Sequence, residues 1–267
     1  MGINHYENFP VGSLLLPPQF RHPVAQIYRF AREADDFADE GSATDAVRLE
    51  QLERFRGQLR KIERGLIPDS DSFTTLAGVI HNHRLPVSLF HDLLSAFAQD
   101  VTRKRYVDFP EVLDYCRRSA NPVGRLLLHL FGRATPENLR HSDSICSALQ
   151  LANFWQDVEV DYAKGRVYLP QDEMKHHGVT EQHIAERRCD DAWRALIQFQ
   201  IERTRGMLQS GAPLGRALPG RIGLEIRATV QGGLRILEKL ERAQYDMFRD
   251  RPVLKWHDWP LILARAL

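Results

Sequence analysis

Apolar residues recur at helical spacing along most of this chain. Between positions 23 and 39, Ile27, Phe30, Ala31, Ala34, Phe37 and Ala38 return every one to four residues. Between 47 and 64, Leu49, Leu52, Phe55, Leu59 and Ile62 do the same, with charged residues between them. That period gathers the apolar side chains on one face of a helix. Similar patterns cover roughly 88–98, 110–131, 142–163, 181–209 and 221–249. No alternating run is long enough to read as a convincing strand. The expectation is an all-α protein. Proline and glycine mark the breaks between helices: Pro17-Pro18, Pro23, Gly41, Gly65 with Pro68, Pro86, Pro110, Pro136, Gly165 with Pro170, and the stretch 211–220. The best linker, 210–220, is too short and too near the C-terminal end to separate independent domains, so 1–267 reads as a single domain.

Composition narrows the class. The chain has 267 residues, 43% hydrophobic and 27% charged, which supports a sizeable core and argues against disorder. Lys and Arg number 36 against 35 Asp and Glu, so the basic field needed to coat nucleic acid is absent. No apolar run approaches the ~18 residues of a membrane-spanning helix. The first ten residues do not read as a secretory signal. Cys116, Cys146 and Cys189 are odd in number and lack C-x-x-C spacing. A reduced, cytoplasmic setting is therefore expected, with neither a disulfide framework nor a zinc site.

Two segments carry candidate chemistry. In Tyr28-Arg29-Phe30-Ala31-Arg32-Glu33-Ala34-Asp35-Asp36-Phe37-Ala38-Asp39, a helix puts Asp35 and Asp39 on one face, with Asp36 flanking and Arg32 one turn earlier. Farther on, Gln150, Asn153, Asp157 and Asp161 lie at three- and four-residue steps on one face of another helix. Either run alone is also what a solvated helix face looks like. Like charges at this spacing repel, and a hard cation with oxygen preference offsets that repulsion. Two such helices facing each other would make an acidic rim able to hold Mg²⁺ and a diphosphate.

The surrounding residues sharpen this. Asn153-Phe154-Trp155-Gln156-Asp157 through Asp161, followed by Gly165-Arg166-Val167-Tyr168-Leu169-Pro170, resembles the second aspartate motif of squalene and phytoene synthases. Tyr28 to Asp39 resembles that family's first aspartate motif, in matching order and separation. His5, Asn8 and Phe9 match its N-terminal segment, with Tyr6 and Asn8 replacing two serines. Tyr115-Cys116 through Asn121-Pro122-Val123-Gly124 is similar to its Y-C helix. Asn121-Pro122, Glu7-Asn8-Phe9-Pro10 and Trp256-His257-Asp258-Trp259-Pro260 resemble the hydroxysqualene synthase branch of bacterial hopanoid pathways.

The resemblance implies an isoprenoid-synthase-type helical bundle around a central cavity. It implies Mg²⁺ held by Asp35, Asp36, Asp39, Asn153, Asp157 and Asp161. His5, Asn8, Phe9, Arg32 and Gln150 become substrate-binding candidates, and Tyr115 and Tyr168 catalytic ones. The implied reaction takes presqualene diphosphate and water to hydroxysqualene and diphosphate, with NADPH not expected. The alternative joins two farnesyl diphosphates head to head; a phytoene synthase is a more distant third. Hand-over from a presqualene diphosphate synthase and contact with a membrane surface are the candidate partnerships, and no nucleic acid is expected. Phe30, Phe37 and Trp155 are cavity candidates that equally suit core packing. His81, His83, His176 and His177 read as surface histidines. Arg103-Lys104-Arg105 and the charges of 48–64 read as solvated faces, or as attraction to anionic lipid. Arg249 and Arg251 stand near a C-terminal phosphate-contacting position in ambiguous register.

Overall fold

The computed structural model describes residues 16–39 and 41–267. His5, Asn8 and Phe9 lie outside the described residues. Among those described, helices α1 (Pro18–Asp39), α2 (Asp45–Glu63), α3 (Asp71–His83) and α4 (Val87–Thr102) form the first half. Then follow α5 (Phe109–Ser119), α6 (Asn121–Leu130), α7 (Pro136–Gln156), α8 (Val158–Ala163), α9 (Gln171–His176) and α10 (Glu181–Ala185). The rest is α11 (Asp191–Gly211), α12 (Leu214–Ala217), α13 (Gly220–Arg242), a 3-10 turn at Trp256–Asp258, and α14 (Trp259–Ala266). The all-α expectation holds: no strand forms among the described residues, only a single bridge between Arg105 and Val167.

Caps set many of the helix starts. Thr44, Ser70, Asp108, Thr135 and Asp190 each accept a hydrogen bond from a backbone N–H of the first turn that follows. Several boundaries expected from the sequence need correction. Pro23 does not break a helix; it sits inside α1. Its missing N–H spares the carbonyl of Gln19, an exposed position where water can serve. The run 110–131 splits at Ala120, because Pro122 starts a new helix in its first turn. The run 181–209 splits where Arg187 takes a positive φ of 53°. The run 142–163 kinks at Asp157, yet Asp157 N–H still bonds the Asn153 carbonyl at 2.9 Å and Asp161 N–H bonds that of Asp157 at 2.8 Å. Helices α3, α9, α12 and α14 fall outside the runs that the apolar period predicts.

Two large apolar clusters fill the interior. One gathers Trp155 and Leu151 of α7, Trp193 and Ile197 of α11, and Leu237 of α13. The other gathers Phe30 of α1, Leu52 of α2, Leu76 of α3 and Phe90 of α4. Helix α6 serves both, with Leu128 in the first and Leu126 and Leu130 in the second. Each fully buried leucine or phenylalanine contributes about 1.5–3 kcal/mol. Helix α6 lies so close to α7 that a Cβ on Gly124 would stand 2.6 Å from Cys146 Sγ. Cys116, Cys146 and Cys189 are all free thiols. No helix among the described residues is long and apolar enough to cross a membrane.

Candidate active site

Helix α1 buries Phe30, Ala34 and Ala38 and leaves Asp35, Asp36 and Asp39 half-buried beside them. Arg32 sits one turn before, 2.9 Å from Asp36 Oδ1 and 3.5 Å from Asp35 Oδ2. Asn153 and Gln150 are half-buried on α7, Asp157 occupies the kink, and Asp161 is half-buried on α8.

Arg166 joins the two acidic segments. Its Nη1 is 2.6 Å from Asp39 Oδ1, and its Nη2 is 3.9 Å from Asp161 Oδ1. Lys164 also donates to Asp39, and Arg251 grips both oxygens of Asp157. Of the two C-terminal arginines, Arg251 is the one paired with Asp157.

Local backbone chemistry places Arg166. Helix α8 ends with Gly165 at φ +79°, its N–H bonding the Tyr162 carbonyl, while Arg166 N–H bonds the Asp161 carbonyl at 2.8 Å. This paired closure is the glycine-terminated helix end that favours a left-handed residue. It turns the residue after the glycine back over the helix, beside Asp161. Gly165→Ala should cost about 1 kcal/mol through the positive φ. Urea unfolding checks that loss.

The carboxylates feel one another. Burial first, then Asp39 and Asp100, push Asp35 up to about 7 despite Arg32. Burial likewise pushes Asp161 up to about 7; Arg166 opposes the rise, while Asp157 and Asp39 add to it. Burial also acts to raise Asp39, but its bonds to Arg166 and Lys164 outweigh burial and hold it below the usual range. Among the described residues no three His, Cys, Asp or Glu side chains form a ready-made metal cage. Mg²⁺ does not require one, since it is typically held by one or two carboxylates with waters and phosphate oxygens. The oxygen-only donors and their mutual repulsion fit such an ion.

A polar knot lies deeper. Asp100 of α4 is 5% exposed and accepts from Tyr115 Oη at 2.6 Å and from Tyr168 Oη at 3.0 Å. Burial pushes Asp100 up to about 6, although Tyr115, Arg166 and Tyr168 oppose it. Tyr168 stacks on Phe154 at 3.7 Å, and Tyr106 flanks both tyrosines. Phe154, Val158, Asp161, Arg166, Val167, Tyr168 and Leu169 line one recess, so charged groups and aromatic faces share it.

Other candidates from the sequence fall elsewhere. Phe30 packs among Phe55, Phe73 and Phe90, and Phe37 against Phe55. Trp155 is fully buried, its indole N–H donating to Thr204. These are core packing. The basic run is no plain solvated face: Arg105 pairs with Glu181 and donates to the Gly165 carbonyl at 2.6 Å. The sequence does not single out Asp100 or Tyr106, and it offers Arg166 and Phe154 only as parts of the second aspartate motif, without a role. The available signal for Asp100 was an acid set between Phe97 and Val101 on an apolar helix.

Residues 4–259 match the squalene/phytoene synthase family, and the chain belongs to it. The hydroxysqualene synthase of Rhodopseudomonas palustris is 34% identical over 237 residues, covering 88% of this chain and 80% of that protein. That of Zymomonas mobilis is 34% identical over 225 residues, 82% of this chain and 74% of the relative. The crystal structure of squalene synthase HpnC from Alicyclobacillus acidocaldarius superposes with a TM-score of 0.84 at 34% identity, covering 91% of this chain and 90% of that one. This places the bundle in the fold of the squalene synthases.

Proposed function

We propose that this protein is a Mg²⁺-dependent hydroxysqualene synthase, converting presqualene diphosphate and water to hydroxysqualene and diphosphate. The observation that carries the reading is Arg166 shared by Asp39 and Asp161 at the edge of the Phe154–Tyr168 recess. That arrangement sets charged groups beside aromatic faces, the two kinds of surface that a prenyl diphosphate meets, while the recess itself, about 10 Å³, is water-sized. The 34% identity to proteins named hydroxysqualene synthase favours this chemistry within the family.

Asp35, Asp36, Asp39, Asn153, Asp157 and Asp161 would hold the metal, whose charge helps diphosphate leave with the electron pair of the C–O bond. Arg32, Arg166 and Arg251 supply planar forks that suit phosphate oxygens. The aromatic walls do two things. They keep bulk water from a carbocation, and their ring faces stabilise positive charge. Tyr115 and Tyr168 spend their protons on Asp100, which leaves their oxygen lone pairs as acceptors. A water donating to Tyr168 Oη would turn its own oxygen toward the cation, form the C–O bond there, and pass its extra proton to the released diphosphate.

Product analysis tests this. Purified protein with Mg²⁺ is given presqualene diphosphate or farnesyl diphosphate, each with and without NADPH. Hydroxysqualene from presqualene diphosphate alone, unchanged by NADPH, is the expected result. Conversion of farnesyl diphosphate to presqualene diphosphate or squalene would replace the reading with the head-to-head condensation.

A further inference from the structure

Exposed apolar side chains are concentrated at one place. Of the twelve large ones among the described residues, five fall within 256–267: Trp256, Trp259, Leu261, Leu263 and Leu267. Helix α14 packs inward through Ile262 and Ala266, against Ala228, Leu224 and Leu254. Trp259 and Leu263 are four apart and make an outward stripe, which exposed Pro260 and Trp256 extend. Trp256 is 83% exposed, whereas Trp155 and Trp193 are fully buried.

The exposed charges of residues 255–267 are basic, with Glu238 of α13 alongside them. Lys255, His257 and Arg265 are exposed, Arg265 also reaching Glu238 at 2.5 Å. Asp258, the sole acid of 255–267, is buried on Arg235 and Lys239.

We propose that this C-terminal face docks on the surface of an anionic lipid bilayer. Indole rings favour the headgroup layer, where an apolar body meets a polar edge. Lys255 faces the lipid phosphates, with Arg265 beside it, its charge shared with Glu238. An eight-residue helix is about 12 Å long, so it lies on the bilayer and does not span it. A second copy is a poorer occupant. Two-fold pairing would set the basic groups of the two copies together. The proposal is independent of which prenyl reaction the site performs.

The test uses the full chain with phosphatidylglycerol and with phosphatidylcholine vesicles, followed by sedimentation and tryptophan emission. Binding to phosphatidylglycerol with a blue-shifted emission, weakened by salt, is expected. Since Trp155 and Trp193 are already buried, the shift reports Trp256 and Trp259. Trp256→Ser with Trp259→Ser should lower the partition coefficient roughly tenfold per tryptophan. Trp256→Ser alone, at the more exposed position, serves if the double variant does not fold, and thermal unfolding verifies the fold. No binding by the wild-type protein, or equal binding by Trp256→Ser, would overturn the proposal. So would a lipid-free dimer that Trp256→Ser dissociates, which would assign the face to a second copy.

Discussion

Asp157→Ala should cut diphosphate release about a hundred- to a thousandfold, the scale seen when a group that stabilises developing charge is removed. Asp157 stands at the α7–α8 kink, its two oxygens facing Arg251. The pair is partly exposed, so its loss should cost only about 1 kcal/mol of stability. Thermal unfolding would then move by only a few degrees for a chain of this length. Activity and stability thus separate. Asp157→Asn keeps the shape and an acceptor oxygen but lacks the charge. It should require more Mg²⁺ for half-maximal release. Wild-type rates in both variants would remove Asp157 from the site.

The second large effect is on stability. Asp258 is fully buried and accepts from Arg235 Nε at 2.7 Å, from Lys239, and from the Lys255 N–H at 2.8 Å. Burial alone would raise its pKa, but Lys239, the Lys255 amide and Arg235 outweigh burial and hold it well below the usual carboxylate range. Asp258→Asn removes the charge while Arg235 and Lys239 stay in place. Breaking such a pair should cost about 3 kcal/mol. A depressed folded-state pKa stabilises wherever the unfolded carboxyl would be ionised, above about pH 4. That contribution is lost as pH falls through the folded value. Urea unfolding should therefore show the full difference at pH 7, and the difference should begin to shrink only as pH falls below about 4.

The helical class was legible because the apolar period is strong over long stretches. The acidic segments were legible because Asp35 and Asp39, and Asp157 and Asp161, share helical spacing that shows without coordinates. What pairs with them was not. Arg166 meets Asp39 from 127 positions away, a contact that no local period encodes. Asp100 looked like one polar residue on an apolar helix, since its partners Tyr115 and Tyr168 come from other segments. The kink at Asp157 hid because the hydrogen-bond ladder runs through it and leaves the period intact. Phe30 and Trp155 could not be told from cavity walls by pattern alone. Only their packing partners make them core.

The last turn of a helix is ordinarily where it frays. In α1 that turn carries Asp36 and Asp39. Arg48, from α2, donates there to the Ala38 carbonyl at 2.6 Å and the Phe37 carbonyl at 3.4 Å, and to the Gly41 carbonyl at 2.8 Å beyond it. Unwinding this end of α1 therefore means pulling it off α2 as well. The two helices open as one unit, so the acidic turn inherits the opening free energy of the pair rather than that of a loose end.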